Sequence, residues 1–247
     1  MAMMKLKKDT YGDAPITSEQ DLMRQLLPTS KGSLWIELGC GPARAAQALA
    51  VELPQIRILA YEVDDQQHAK NLGLSSCPPN LVFGRAGMQD FPFDKDASVD
   101  AVVMLKSLHH VPMEFLKHGF ARIKRALKPG GKIFICEPVF GGAFNEILRL
   151  FHDEENVRFN AFETTKELVE TGVFQLEQEL HFQQENIFPR GFPDFEERIL
   201  GSTFNNFHLT NEIVEKVKAR FQKHVQDDGS ANFLMPMRLD LLVKSGE

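Results

Sequence analysis

The chain of 247 residues is poor in cysteine and has no long hydrophobic run. Its three cysteines, Cys40, Cys77 and Cys136, are widely spaced and form no Cys-x-x-Cys pair. An odd number of widely spaced cysteines argues against a disulfide framework or a zinc knuckle. We therefore predict no metal site and a reducing, cytoplasmic location. No window approaches the ~18 consecutive apolar residues of a membrane-spanning helix, so we expect no membrane association.

The chain also lacks an excess of basic residues. Lysine and arginine together number 28 against 34 aspartates and glutamates, which gives a formal net charge of −6. An acidic chain has no general affinity for nucleic acid, and we therefore expect no DNA partner. Hydrophobic residues make up 43% of the chain, enough to bury a sizeable core.

Strand-like and helix-like segments alternate through the first half of the chain. The strand-like segments read "LWIEL", "IRILAYEV", "LVFGRA", "VDAVVML" and "KIFICEP". One helix, "DDQQHAKNLG", has Asp64 as its N-cap and Gly73 past its end, and another has Thr17 and Gln20 as a possible capping box. Such alternation predicts an α/β protein with a doubly wound, mainly parallel, Rossmann-like sheet.

The rhythm changes after Pro138, where helical segments such as "FNEILRLFHDEE" and "TTKELVETG" precede the strand-like "FQLEQELHFQ". Further helical runs, one of them Pro193–Phe204, separate it from a final strand, "LMPMRLDLLVK". Fourteen of the 20 phenylalanines lie from Phe140 onward. We predict a single domain over residues 1–247, with a helical cap formed by residues 139–173 and 184–233.

A glycine turn joins the first strand to the helix that follows it, in the stretch "WIELGCGPAR". A turn of this kind lets backbone N–H groups and a helix N-terminus approach a ligand closely. A nicotinamide site would have a third glycine where Arg44 stands. Glu37, two residues before Gly39, would repel a pyrophosphate but attract a ligand with a positive end.

The segment "ELGCGPA" resembles the Asp/Glu-x-Gly-x-Gly-x-Gly motif of the class I S-adenosylmethionine-dependent methyltransferases, with Ala43 in the place of the third glycine. The resemblance implies that S-adenosylmethionine is the cofactor and S-adenosylhomocysteine the product. It also implies that Glu37 serves the methionine end of the cofactor, and that Gly39, Cys40 and Gly41 lie against it.

Three further blocks resemble the same family in the same order, so that the resemblance extends over residues 33–137. In "ILAYEVDD", it implies that Glu62 accepts from the ribose hydroxyls and that Val63 packs on the adenine. The usual adenine-facing acid is replaced by Gly87, which leaves that contact to Met88 and Gln89. Lys106 occupies a cleft position after the fourth strand, and "ALKPGGKIFICEP" is a frequent form of the turn into the fifth.

His109 and His110 follow the fourth strand at the rim of the expected cleft. Either could act as a general base for the acceptor, or could only brace the cofactor loop. Members of this fold that methylate nucleic-acid bases carry Asn/Asp-Pro-Pro-aromatic at this position, where the chain reads "LKSLHH". Base methylation is therefore disfavoured.

We predict a methyltransferase that transfers a methyl group to an oxygen, nitrogen or carbon of a small molecule. Methylation of a protein or RNA, a non-catalytic cofactor-binding module and, last, a nicotinamide oxidoreductase are the alternatives. The phenylalanine-rich insertions are expected to form a mobile lid over the acceptor. Its predicted lining is the stretch "FPRGFPDF", which contains Phe188, Arg190, Phe192 and Phe195.

Overall fold

Seven strands form one sheet in the structure, a computed structural model that describes residues 4, 11–202 and 207–245. The strands are β1 (Leu34–Leu38), β2 (Arg57–Glu62), β3 (Leu81–Arg85), β4 (Val99–Leu105), β5 (Leu127–Pro138), β6 (Gln175–Phe188) and β7 (Ala231–Val243). Their order is β3-β2-β1-β4-β5-β7-β6, and β7 runs antiparallel to both of its neighbours. The predicted α/β, Rossmann-like and mainly parallel sheet is confirmed.

Helices flank the sheet and follow its strands. They are α1 (Glu19–Leu26), α2 (Arg44–Glu52), α3 (Asp65–Leu72), α4 (Met113–Ala126), α5 (Gly142–Leu148), α6 (Glu155–Glu170), α7 (Phe192–Phe195) and α8 (Asn211–Gln222), with a 3₁₀ turn over Leu108–His110 and a π-helical turn over Glu196–Leu200. The strand order reverses between β1 and β4, so the loops after these strands open a crevice where ligands of such sheets bind. No described helix is both long and apolar enough to cross a membrane.

The predicted caps of two early helices have different outcomes. Asp64 caps α3 by accepting a hydrogen bond from the Gln67 N–H, and Gly73 follows the end of the helix, as predicted. The predicted Thr17 cap of α1 is wrong, since Ser18 accepts from the backbone N–H of Asp21 instead. The Thr17 N–H donates to the carbonyl of Gln183 on β6, so Thr17 belongs to the segment that contacts the sheet before α1 begins.

Helix bounds after Pro138 differ from those expected. The predicted helix over "FNEILRLFHDEE" is broken: α5 ends at Leu148 and α6 begins at Glu155. The residues between them turn inward, which buries the carboxylate of Glu154 beside α6. The end of the predicted run Pro193–Phe204 lies outside the described residues, which leave out residues 203–206.

The last two strands are longer than the alternation pattern indicated. β6 continues to Phe188 and β7 begins at Ala231, and these two residues pair with each other at the far end of the hairpin. Residues 184–188 and 231–233 of the predicted second cap segment therefore belong to the hairpin.

The described residues form three hydrophobic core clusters. Trp35 and Ile36 belong to different clusters on the two faces of the sheet, as expected of a parallel strand covered on both sides. The third cluster lies in the cap and contains Phe144, Phe188, Phe192, Phe195, Phe221 and Phe233 among its buried side chains. Six of the 14 phenylalanines from Phe140 onward are thus buried in a core of their own.

Candidate active site

The glycine turn at the carboxyl end of β1 is held by backbone hydrogen bonds. The N–H groups of Gly39 and Cys40 both donate to the carbonyl of Tyr61 on β2, each at 2.9 Å. Gly39, Gly41 and Ala43 all have positive φ, at 71°, 51° and 50°. Left-handed backbone at three alternate residues turns the chain sharply from β1 into α2.

The two glycines are required for different steric reasons. A Cβ on Gly39 would lie 2.7 Å from the Cβ of Ser107, so a side chain there would push the turn away from the end of β4. A Cβ on Gly41 would meet nothing within 4 Å. Gly41 therefore leaves open space over the turn, on the side where a ligand would approach.

Glu62 ties the turn to the end of β2. One carboxylate oxygen accepts from the Gly41 N–H at 2.7 Å, and the other accepts from the N–H groups of Val63 and Asp64 at 2.8 and 2.9 Å. The side chain is buried, whereas Val63 beside it is 56% exposed. An anionic acceptor and an apolar surface thus adjoin each other at one edge of the crevice.

Glu37 is a buried carboxyl group with an unsatisfied oxygen. Its side chain lies under the glycine turn, and Oε2 has no hydrogen-bond partner among the described residues. Burial, together with the nearby charges of Glu19 and Glu62, raises the pKa of Glu37 to about 8. A cationic ligand in this position would both satisfy the oxygen and favour the ionised form.

Lys106 forms an ion pair with Glu19 across the same end of the crevice. Glu19 is buried at the start of α1, and its second oxygen accepts from Gln184 Nε2 at 3.3 Å. The sequence reasoning missed Glu19, which is 87 residues from Lys106 and carries no motif. Only the folded chain places α1 over this end of the sheet.

The loop after β3 contributes the opposite end of the crevice. Met88 is buried against Gly119 of α4, where an added Cβ would meet its side chain at 2.5 Å. Asp90 Oδ1 accepts from the Gly87 N–H at 2.7 Å, so this carboxylate is used within the loop. Gln89 is only partly buried and lines the crevice.

All of the residues predicted to bind the cofactor border a single cavity of about 1010 Å³. These residues are Glu37, Gly39, Cys40, Gly41, Glu62, Val63, Met88, Gln89 and Lys106. The cavity continues past His109 and His110 toward the cap. Its volume is ample for a nucleoside-sized ligand together with a second small molecule.

His109 is clamped between two carboxylates. Its Nδ1 is hydrogen-bonded to Glu137, and its Nε2 lies 3.5 Å from Oε1 of Glu154. The other oxygen of Glu137 accepts from the N–H groups of Ser107 and Leu108, which fixes the 3₁₀ turn. Burial opposes a charge on His109, but the two carboxylates outweigh it and raise the pKa to about 9.

His110 has the opposite character. Burial, together with the charge on His109, lowers its pKa to about 4, so its imidazole is neutral near pH 7. Its side chain is 40% exposed, and Nε2 lies 3.9 Å from Oε1 of Glu154. Both ring nitrogens of His109 already face carboxylates, so His110 is the histidine of the pair that is open to an acceptor.

The four predicted acceptor-lining residues are not brought to the cavity. Phe188, Phe192 and Phe195 pack in the hydrophobic cluster of the cap. Arg190 is paired with Asp194 and Glu197. The apolar residues that do border the far part of the cavity are Phe115, Val139, Phe144, Leu148, Ile199, Met235 and Pro236.

Part of the chain matches a known protein family. Residues 36–131 match the family model described as "Methyltransferase domain", and they contain the glycine turn, Glu62 and the loop after β3. This match and the seven-stranded sheet around it support a class I S-adenosylmethionine-dependent methyltransferase.

Individual relatives are distant. The chain is 27% identical over 116 residues to the 27-O-demethylrifamycin SV methyltransferase of Amycolatopsis mediterranei, a match that covers 46% of this chain and 41% of that protein. The matched part thus spans about two-fifths of the length of that relative.

Solved structures share the fold over nearly the whole chain. A putative methyltransferase from Bacillus halodurans has a TM-score of 0.60 at 16% identity, covering 93% of this chain and all of the other. The Haemonchus contortus phosphoethanolamine N-methyltransferase 2 has a TM-score of 0.55 at 17% identity, and the match covers 92% of this chain and 52% of that protein. The [4+2]-cyclase SpnF has a TM-score of 0.58 at 18% identity, and the match covers 92% of this chain and 80% of that protein. A shared fold at this identity does not determine the reaction.

Proposed function

We propose that this chain transfers a methyl group from S-adenosylmethionine to a small-molecule acceptor held in the cap-side part of the cavity. The observation that carries the proposal is the unsatisfied, buried oxygen of Glu37 under a glycine turn. An uncompensated buried carboxylate is costly unless a cation completes the site, and the methionine end of this cofactor carries an ammonium group and a sulfonium.

The residues around the turn fit the parts of the cofactor in sequence along the cavity. Glu37 would receive the ammonium group, and Lys106 is near enough to the same end to pair with a carboxylate. Glu62 would accept from the ribose hydroxyls while it keeps the turn in place. Val63, Met88 and Gln89 would hold the adenine by apolar contact and backbone hydrogen bonds.

The chemistry places few demands on the protein beyond orientation. The cofactor would supply a methyl group activated by its sulfonium, and the acceptor atom would bond to the methyl carbon as the C–S bond breaks and S-adenosylhomocysteine leaves. The chain must hold that atom in position and exclude water, and positioning of two reactants accounts for much of the rate in such reactions. His110 is the polar side chain best placed to contact the reacting end of the acceptor.

A small-molecule acceptor is favoured by the walls of the cavity. Its far part is lined by apolar side chains such as Phe144, Leu148 and Met235, and the cap stands over it. A protein or an RNA would need an open docking surface beside the cleft. A cofactor-binding module without turnover remains an alternative that the experiments below distinguish.

The first experiment measures ligand binding by calorimetry with S-adenosylmethionine, S-adenosylhomocysteine and NADH. We expect micromolar-range binding of the first two, no response to NADH and a loss of about tenfold to a hundredfold in Glu37→Gln. Glu114→Gln, an exposed carboxylate on α4, is the matched control. Binding of NADH without binding of S-adenosylmethionine would refute the proposal.

The second experiment identifies the acceptor. Cofactor labelled in its methyl group is incubated with the protein and a small-molecule extract, a protein extract or RNA, and the labelled product is analysed by mass spectrometry. We expect label in the small-molecule fraction. Label only in protein or RNA would replace the small-molecule acceptor, and tight binding without transfer to any fraction would indicate a binding module.

A further inference from the structure

One carboxylate oxygen at the cap end of the cavity is surrounded by imidazole nitrogens. Oε1 of Glu154 lies 2.9 Å from Nε2 of His152, 3.5 Å from Nε2 of His109 and 3.9 Å from Nε2 of His110. The 3₁₀ turn after β4 supplies two of the histidines, and the segment between α5 and α6 supplies the third. Two distant parts of the chain therefore converge on one point.

The spacing of these atoms is close to that of a metal coordination sphere. Ligand atoms bound at about 2.1 Å from one ion lie roughly 3.0 to 3.4 Å apart, depending on the geometry. One nitrogen each from His109 and His110 and an oxygen of Glu154 all lie within 4.8 Å of one another. Shifts of a few tenths of an ångström to about 1 Å in side-chain positions would close this set around an ion.

The surroundings of the cluster resemble the supports that metal-binding histidines have. A histidine that binds a metal through one nitrogen usually donates its other N–H to a carboxylate, which fixes the ring. His109 does this through Nδ1 to Glu137, which is itself held by two backbone N–H groups. Arg158 pairs with the other oxygen of Glu154 and orients that carboxylate in the same way.

The charge of the cluster leaves room for a divalent cation. Glu137 and Glu154 contribute two negative charges, and Arg158 contributes one positive charge. With neutral imidazoles the cluster has a net charge of −1, which a divalent ion would more than compensate.

We propose that His109, His110 and Glu154 bind a divalent transition-metal ion at the acceptor end of the cavity, with His152 as a neighbouring fourth donor. Two imidazoles and a carboxylate favour Mn²⁺, Fe²⁺, Co²⁺ or Zn²⁺ over Ca²⁺ and Mg²⁺. The sequence alone predicted no metal site, because the histidines and Glu154 form no spaced motif.

The site would change how the acceptor is activated, and this consequence rests on the proposed function. His109, His110 and Glu154 border the cavity, so positions on the ion not taken by protein remain open to it. An acceptor oxygen bound there would be held in place and made more acidic. With the ion bound, His110 is a ligand and not a base.

Metal binding is tested on the full chain after treatment with a chelator and removal of the chelator. Titration with Mn²⁺ followed by electron paramagnetic resonance, and with Co²⁺ followed by its visible absorption, should show one ion per chain. We expect His110→Ala and Glu154→Gln to weaken binding at least tenfold, and Glu137→Gln to weaken it about tenfold to a hundredfold. His118→Ala, an exposed histidine on α4, should bind as the unmodified chain does.

Two readouts keep the test decisive. His110 is partly exposed, so its alanine variant should fold even if Glu154→Gln does not, and circular dichroism checks both. Cofactor affinity is measured in the same metal-free samples, so that a failed metal site is distinguishable from a failed methyltransferase assignment. Absence of stoichiometric Mn²⁺ and Co²⁺ binding, or equal binding by His110→Ala, would overturn the proposal.

Discussion

The carboxyl group of Glu37 links the pH of the solution to the stability of the ligand-free protein. Its pKa is about 8 in the fold, against an ordinary value of 4.5. A raised pKa means that the contribution to stability is fully present below about pH 4.5 and is lost as the pH rises to about 8. The ligand-free protein should therefore lose stability across this interval.

Glu37→Gln should remove this loss. We expect the variant to be more stable than the unmodified chain at pH 8, by an amount on the order of a few kcal/mol, and nearly equal at pH 4.5. Thermal denaturation at several pH values measures the difference. The exposed Glu114→Gln serves as the control, and an unchanged difference across the interval would contradict the burial of an uncompensated carboxyl at position 37.

Gly41 offers a test of steric access that separates strain from ligand contact. Gly41 and Gly130 both have positive φ, at 51° and 74°, and a Cβ on either would meet nothing within 4 Å. Gly41→Ala and Gly130→Ala should therefore cost a similar ~1–2 kcal/mol of backbone strain. Only Gly41→Ala should weaken cofactor binding, because Gly41 borders the cavity and Gly130 does not. Calorimetry and thermal denaturation of both variants check this, and equal affinities would contradict the placement.

Glu62 combines a predicted ligand contact with a structural task that the sequence did not indicate. The motif predicts a ribose contact and suggests that Glu62→Ala leaves the fold intact. In the structure, the carboxylate accepts three backbone N–H groups around the turn. We expect Glu62→Ala to lose about 1–3 kcal/mol of stability in addition to tenfold to a hundredfold of cofactor affinity. Urea denaturation and calorimetry separate the two effects, and unchanged stability would show that the three hydrogen bonds are dispensable.

At the level of elements, the strands and helices in the alternating half of the chain could be predicted because each depends on a local sequence feature. A buried strand has a continuous apolar run, and α3 has Asp64 and Gly73 at its ends. The residues that line the acceptor side of the cavity could not be predicted in this way. A phenylalanine ring has the same local signature whether it packs in a core or lines a cavity, and only its distant neighbours decide between the two.

The cap phenylalanines illustrate this difference and give a further prediction. Phe195 is fully buried and touches the rings of Phe144, Phe188, Phe192 and Phe221. Phe195→Ala should therefore lower the free energy of unfolding by about 3–5 kcal/mol, as other aromatic-to-alanine changes in cores do. Cofactor affinity measured in native conditions should stay the same. A mild effect on unfolding would instead mean that the cap cluster is loosely packed.

At the scale of the whole molecule, the proposed function places the cofactor on the sheet and the acceptor under the cap. We expect hydrogen exchange across residues 140–162 and 188–202 to slow when S-adenosylhomocysteine is added, since these segments stand over the cavity. The second half of α4, residues 120–126, does not border the cavity and provides the internal reference. If exchange in the cap is uniformly slow with and without the ligand, the cap is a fixed layer and the prediction of a mobile lid is wrong.

The hairpin of β6 and β7 extends past the rest of the sheet. β7 pairs with both neighbours only as far as Met237, and from Met235 to Ala231 it pairs with β6 alone. The cap cluster is therefore mounted on the free end of a two-stranded ribbon about 17 Å long. Such a ribbon is a lever arm: a bend of about 10° at its base would move the tip by roughly 3 Å.

The base of that lever is braced from outside. The backbone N–H and C=O of Gln183 are hydrogen-bonded to Pro15 and Thr17, so the segment before α1 stiffens the ribbon where it leaves the sheet. We therefore expect bending of the ribbon near Gln183 to change the width of the cavity on its cap side. Sequence changes near residues 15–17 would alter how fast acceptors enter and products leave while leaving every ligand contact in the cavity unchanged.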